Sequence, residues 1–180
     1  FEGRRRMRQA DEGIARLAEH VDTLIVIPND RLRDAIGSAP LQEAFRSADD
    51  VLRMGVKGIT DIITCPGLVN VDFADVRSVM TEAGTALLGI GVGSGRSRAI
   101  EAAQTAINSP LLEAARIDGA KGCVINISGG RDMTLEDMTS ASEVIYDVVD
   151  PEANIIVGAV VDERLAVSYT HLTLPTNDRV

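Results

Sequence analysis

Asp72 and Asp75 stand three residues apart, where the irregular run Pro66-Gly67-Leu68-Val69-Asn70-Val71 gives way to the helical spacing of Phe73-Ala74-Asp75-Val76-Arg77. Backbone N–H groups in the first turn of a helix lack partners and carry partial positive charge, so carboxylates are favoured there. One chemistry for the pair is purely structural: Asp72 caps the helix, and Asp75 at its third position reaches back to complete a capping box. A second pair, Phe45 and Asp49, is four residues apart in a run of helical period and shares one face. On spacing alone these are a core aromatic and a solvated charge beside Asp50. A third segment, Gly89-Ile90-Gly91-Val92-Gly93-Ser94-Gly95, lies between a strand pattern and a helix pattern, where a phosphate-binding turn would sit. The dinucleotide fingerprint G-x-G-x-x-G fails there in both registers, because Ser94 or Arg96 replaces the third glycine. No G-x-x-x-x-G-K-[ST] run occurs anywhere.

Composition narrows the function classes. The 180 residues are 45% hydrophobic, enough for one good core or parts of two. A net charge of −9 with no basic stripe disfavours nucleic-acid binding; Arg4, Arg5, Arg6 and Arg8 form the one basic cluster, which spacing alone reads as a solvated helix face. Cys65 and Cys123 lie far apart and far from His20 and His171, giving neither metal-ligand spacing nor a disulfide framework, as expected in a reducing cytoplasm. The longest apolar run, Ile155 to Val161, is strand-sized, so direct membrane insertion is not expected. The start at Phe1 without Met reads as a missing true start.

Periodicity then supplies the elements that must position these groups. Met7, Ala10, Ile14, Leu17, Ala18 and Val21 place an amphipathic helix over residues 4–20. Leu24 to Ile27 reads as a buried strand ended by Pro28, and Arg31 to Ile36 as a short helix. A long helix follows, with Leu41, Ala44, Phe45, Ala48, Val51, Leu52, Val56, Ile59, Ile62 and Ile63 in phase; Gly55 and Gly58 inside it imply close packing against a neighbour. Further elements are a helix from Phe73 to Ala83 stopped by Gly84, a strand Thr85 to Val92, and a helix Ser97 to Ile107. Ser109-Pro110 opens a short helix, and Cys123 to Ser128 is a strand. A helix from Thr134 carries Leu135, Met138, Ala141, Ile145 and Val149 on one face, and Asn154 to Val161 is the last strand. Alternating strands and helices predict an α/β lobe of β-α-β units. Residues from about Ala166 onward, with Val167-Ser168-Tyr169-Thr170-His171-Leu172-Thr173-Leu174-Pro175-Thr176, look like a translated sequencing adapter and are left out of the expected fold.

Read as N-x-D-F-A-D, Asn70, Asp72 and Asp75 resemble the synergy loop of the FtsZ family, the tubulin-like cell-division GTPases of bacteria. Other segments agree in order. Phe1-Glu2-Gly3-Arg4-Arg5-Arg6 is similar to F-E-G-x-x-R, and Asp22-Thr23-Leu24-Ile25-Val26-Ile27-Pro28-Asn29-Asp30 to D-T-L-I-V-I-P-N-D. Phe45-Arg46-Ser47-Ala48-Asp49, Ser109-Pro110-Leu111-Leu112-Glu113 and Asn126-Ile127-Ser128-Gly129-Gly130 continue the resemblance, which covers Phe1 to about Leu165.

The resemblance implies an α/β, tubulin/FtsZ-like fold. Residues 1–66 would be the distal part of a Rossmann-like GTP-binding domain plus the central helix, 67–165 an α+β activation domain, and 166–180 a non-native tail. It implies nucleotide contacts from Glu2 to the ribose, Arg6 to the phosphate and ribose region, Phe45 stacked on guanine, and Asn29 at the base. Asp49 would accept from the guanine N1–H and exocyclic amine, an edge that adenine lacks. Asp72 and Asp75 would polarise and position the attacking water in the neighbouring subunit's site, with Asn70 shaping the loop. The cofactor would be GTP, with Mg2+ carried by the nucleotide and no metal site of the protein's own. The partners would be further copies stacked head to tail, with membrane-tether and division-regulator proteins, in the cytoplasm at the mid-cell ring. The G-G-G-T-G-T-G phosphate loop of that family does not occur in these residues and is expected upstream of Phe1, leaving this stretch alone inactive. The alternative is a non-catalytic interaction module derived from FtsZ. A dinucleotide-binding enzyme using Gly89 to Gly95 is the third reading.

Overall fold

A strand whose residues are apolar on both sides must be covered on both faces, and Gly122–Gly129 is buried at every position. The computed structural model describes residues 3–27, 41–65, 67–112, 120, 122–162 and 168–176. Its elements are α1 (Arg4–Ala18), β1 (Thr23–Ile25), α2 (Leu41–Thr64), α3 (Phe73–Met80), β2 (Gly84–Gly93), α4 (Arg98–Ile107), β3 (Gly122–Gly129), α5 (Leu135–Tyr146), β4 (Asn154–Val161) and β5 (Ser168–Thr176). One five-stranded sheet runs in the order β1-β2-β5-β3-β4. The pairs β1/β2 and β3/β4 are parallel, and β5 is antiparallel to both β2 and β3.

The two faces of β3 belong to two cores. Cys123, Ile125 and Ile127 pack with Ala99, Ala103 and Ala106 of α4 and with Ala141 and Ile145 of α5. On the other face Val124 packs with Ile62 of α2, Val71, and Val76 and Val79 of α3. The result is an α/β sandwich of three layers, with α2 and α3 beneath the sheet and α4 and α5 above it.

Glycines set the spacing between these layers. A Cβ on Gly91 would run into the carbonyl of Ala102, and one on Gly93 into the carbonyl of Arg98. Gly89, Gly91 and Gly93 therefore form a period-two stripe on which α4 lies almost backbone to backbone. That contact explains the glycine run that resembles a phosphate turn. Beneath the sheet, a Cβ on Gly55 would come within 2.8 Å of the Leu88 side chain. The fully buried Asn126 amide donates to the Gly58 carbonyl at 2.8 Å. The close packing expected at both helix glycines is present.

Several expectations shift at their edges. α1 ends at Ala18 rather than at residue 20, and none of its residues is buried. β1 is three half-buried residues, because only Thr23 to Ile25 find partners in β2. α3 stops at Met80, and both Glu82 (φ 54°) and Gly84 (φ 73°) take the left-handed conformation, so Gly84 opens β2 instead of capping the helix. Leu135, expected on the core face of α5, is 71% exposed in its first turn. At Ser109 the described residues form a turn closed by Leu112 N–H to the Ser109 carbonyl. The short helix expected over residues 31–36 lies outside the described residues.

The tail departs most from expectation. Ser168 to Thr176 is not outside the fold: it pairs with β2 over Thr85–Gly93 and with β3 over Val124–Ser128. Its alternating composition suits a strand, and its place joins β1-β2 to β3-β4, which otherwise share no ladder.

Substituting Gly91→Ala should cost about 1–3 kcal/mol in chemical denaturation, because a helix backbone must move to admit one methyl. Gly13→Ala, in the interior of α1 with open space around it, should instead stabilise by about 0.4–1 kcal/mol. Equal effects at the two positions would contradict the packing role of the stripe.

Candidate functional site

The acidic loop is bolted to the sheet before it reaches its carboxylates. Gly67 lies so close to β4 that a Cβ would overlap the Ala159 carbonyl. Leu68 N–H donates to that carbonyl at 2.9 Å, and Ala159 N–H donates back to the Val69 carbonyl at 3.2 Å. The loop thus extends the outer edge of β4 by one antiparallel bridge. Asn70 closes it from within, its Oδ1 accepting from Gly67 N–H at 2.8 Å. Val71 then enters the lower core beside Ile62. With both flanks fixed, Asp72 and Asp75 are exposed at the start of α3.

Asp72 is the N-cap, with φ −81° and ψ 164°, and its Oδ1 accepts from Asp75 N–H at 2.8 Å. The expected capping box is only half formed, because the Asp75 carboxylate makes no return bond among the described residues. α5 shows the complete form: Asp137 Oδ2 accepts from Thr134 N–H at 3.0 Å while Thr134 Oγ1 accepts from Asp137 N–H at 3.1 Å. The same spacing therefore yields a closed box in α5 and a free carboxylate in α3. Leu68 and Phe73, 60% and 62% exposed, flank the two acids.

A second cluster occupies the first half of α2. Phe45 is 57% exposed, and Asp49 is exposed one turn further along the same face. The stripe continues through Leu52 and Val56, both exposed. Arg6 is exposed on α1. Glu2 and Asn29 lie outside the described residues. The two clusters are not brought together: fifteen residues of helix separate Asp49 from Thr64, roughly 22 Å at 1.5 Å per residue. The loop then docks beyond the far end of α2.

Spacing gave no sign of a third polar cluster. Arg98 in α4 donates to Asp137 Oδ2 at 2.8 Å and to the Asp132 carbonyl at 2.7 Å, and it pairs with the Asp132 carboxylate. The guanidinium pulls both carboxyls below the usual carboxylate range, and they raise its own affinity for its proton. These charges clamp α4 to the start of α5. Cys123 is fully buried, which pushes its thiol well above the ordinary range. Among the described residues no three His, Cys, Asp or Glu side chains converge as a metal site, and no helix is long and apolar enough to cross a membrane.

Residues 84–172 match the model of the FtsZ family, C-terminal domain. Over 96% of its length the chain superposes on the FtsZ dimer of M. jannaschii solved empty, with a TM-score of 0.91 and 45% identity. The chain belongs to the FtsZ family. It superposes equally well on the W319Y mutant of M. jannaschii FtsZ, with a TM-score of 0.91 and 45% identity over 97% of its length. It covers 50% and 52% of those two FtsZ chains, so it spans about half the length of the FtsZ structures it matches. CetZ1 from Haloferax volcanii, a GDP-bound monomer, shares the fold at 13% identity, with a TM-score of 0.75 over 99% of this chain and 53% of its own. The match to the FtsZ C-terminal domain ends at Leu172, inside β5.

The Arg98 clamp sets a pH dependence. Asp137 has a folded-state affinity for protons below its unfolded value, so its contribution is complete above the unfolded range and is lost as pH falls through the folded one. Stability should hold above about pH 5 and fall steeply below about pH 4. Asp137→Asn should cost about 1–3 kcal/mol at neutral pH and flatten the acid limb of the denaturation midpoint against pH. An unchanged acid limb would contradict the clamp.

Proposed function

We propose that this chain is the distal half of a GTP-hydrolysing cytoskeletal protein that stacks head to tail into a cell-division filament. One observation carries the reading: the aromatic–acid pair and the two outward acids sit at opposite ends of α2. A single copy cannot close a site from both. Two copies stacked along α2 bring Asp72 and Asp75 of one to Phe45 and Asp49 of the next, so hydrolysis waits on assembly.

The exposed side chains fit the parts asked of them. An uncovered Phe45 ring offers a face to a purine, and the Asp49 carboxylate one turn away is an acceptor for the N1–H and exocyclic amine of guanine. Bound GTP with its Mg2+ supplies the reacting phosphate and neutralises its charge. Asp75, free of a return bond, and the second oxygen of Asp72 are acceptors for the hydrogens of a water, fixing its lone pair toward the phosphate. Asn70 keeps the loop closed while this happens. Arg6, Glu2 and Asn29 are proposed to line the ribose, phosphate and base side of the same pocket.

Residues 1–66 are proposed as the end of the nucleotide domain with its central helix, and 67–165 as the activation domain. Residues 166–180 are proposed as non-native, holding the place of a strand in the sheet. Membrane tethers and division regulators at mid-cell are the partners this role requires. One fact favours a second reading: the 180 residues contain no G-G-G-T-G-T-G loop. Alone, this stretch would present its acidic face to an intact neighbour without hydrolysing.

In a chain that carries the phosphate loop, Asp72→Asn should abolish most GTP hydrolysis while GTP binding and α3 stability stay unchanged, because Asn caps about as well as Asp. Full activity in that variant would reduce Asp72 to a cap. Asp49→Ala should weaken GTP binding by about 1–3 kcal/mol and erode the preference over ATP. Titrations showing unaltered affinity and selectivity would remove Asp49 from the pocket.

A further inference from the structure

Among the described residues the outer edge of β2 is open along most of its length. β1 pairs with Gly84, Thr85 and Ala86 only, so on that side Leu87 to Gly93 have no strand partner among the described residues. Open edges are commonly blunted by charge or proline. This one reads Leu87-Leu88-Gly89-Ile90-Gly91-Val92-Gly93 and carries neither.

A groove runs beside the edge. The β2 glycines let α4 settle against the strand. Ile90 lines a cleft of about 350 Å³ together with Glu101, Gln104, Thr105 and Asn108. From Glu101 to Asn108 the helix rises roughly 10 Å, the length of about three residues of extended chain. A strand edge on one side and the polar outer face of a helix on the other is a geometry for peptide capture by strand addition.

Charge selects the occupant. Glu101 is the ionisable side chain among the lining residues, and it is exposed while its Oε2 accepts from Ser94 N–H at 3.1 Å. The chain as a whole carries −9. We propose that this groove binds a short extended peptide as an added strand on β2, with a β-branched residue over Ile90 and a basic side chain opposite Glu101. The surface is distinct from the acidic loop, which docks on β4 at the opposite end of the strand order.

The test is a titration of the whole 15N-labelled chain with the capped pentapeptide Thr-Val-Lys-Val-Thr, followed by NMR. Saturable shifts are expected in the backbone amides of Leu87 to Gly93 and in the side-chain amides of Gln104 and Asn108. The counterpart with Glu in place of Lys should bind about fivefold more weakly, as the loss of one exposed ion pair implies. Glu101→Gln keeps the acceptor for Ser94 N–H and should erase that difference. Shifts confined to another edge, shifts that do not saturate, or equal binding of the two peptides would overturn the assignment. Shifts that grow with protein concentration alone would also overturn it, giving the edge to a second copy.

Discussion

Everything in this structure hangs on how α2 crosses the sheet. Successive turns of its second half meet β2, β3 and β4 in turn, passing β5 between the first two. Gly55 lies against Leu88 of β2, Gly58 accepts the buried Asn126 amide of β3, and Ile62 fills the space beneath Gly158 of β4. A side chain at Gly55 would lift the helix, and an unpaired Asn126 would leave a buried amide at a cost of about 1–3 kcal/mol. The crossing fixes where the helix ends, and the end fixes the loop. From Ile62 the chain has only to reach Ala159, one residue along β4 from Gly158, to pin Gly67 and Val69.

Phe45 and Leu52 on the first half of α2, and Val56 just beyond it, stay exposed, and α1 buries none of its residues. Three exposed apolar side chains along one helical stripe are uncommon on a finished surface. The chain spans about half of the FtsZ structures it matches. In the proposed function these faces would meet the rest of a nucleotide domain, with Phe45 and Asp49 toward one end of α2 and the fixed acidic loop at the other.

Much of this was legible in the residues. The 3.6 period along α2 and the apolar runs of β3 and β4 locate those elements almost to the residue, because both are driven by burial that shows directly in composition. The loop acids were legible from one motif. Their state was not: Asp72–Asp75 and Thr134–Asp137 share a spacing, but the engaged acid accepts from the Thr134 hydroxyl and from Arg98, arriving from α4, whereas the free one faces a second carboxylate at its cap. Gly89, Gly91 and Gly93 show a related limit, since a stripe for helix contact and a turn for phosphate use the same residue: the failed fingerprint argues against the turn, but the α4 contact is not in the local pattern. Ser168 to Thr176 looks foreign by its sequence, whereas a strand slot between β2 and β3 asks chiefly for backbone pairing. Long-range contacts enter each of these cases, and no local pattern contains them.

The central claim is that the acids act on the neighbour's nucleotide and not on their own. A mixing experiment tests it most directly, using chains that carry the phosphate loop. One subunit bears Asp72→Asn and binds GTP; the other keeps Asp72 and Asp75 but is disabled only in nucleotide binding. Each alone should hydrolyse little. Mixed, they should recover GTPase activity that peaks near equal proportions, because the nucleotide of one then meets the intact acids of the other. Activity that never exceeds the sum of the two subunits measured separately, in mixtures shown to co-assemble, would contradict the account.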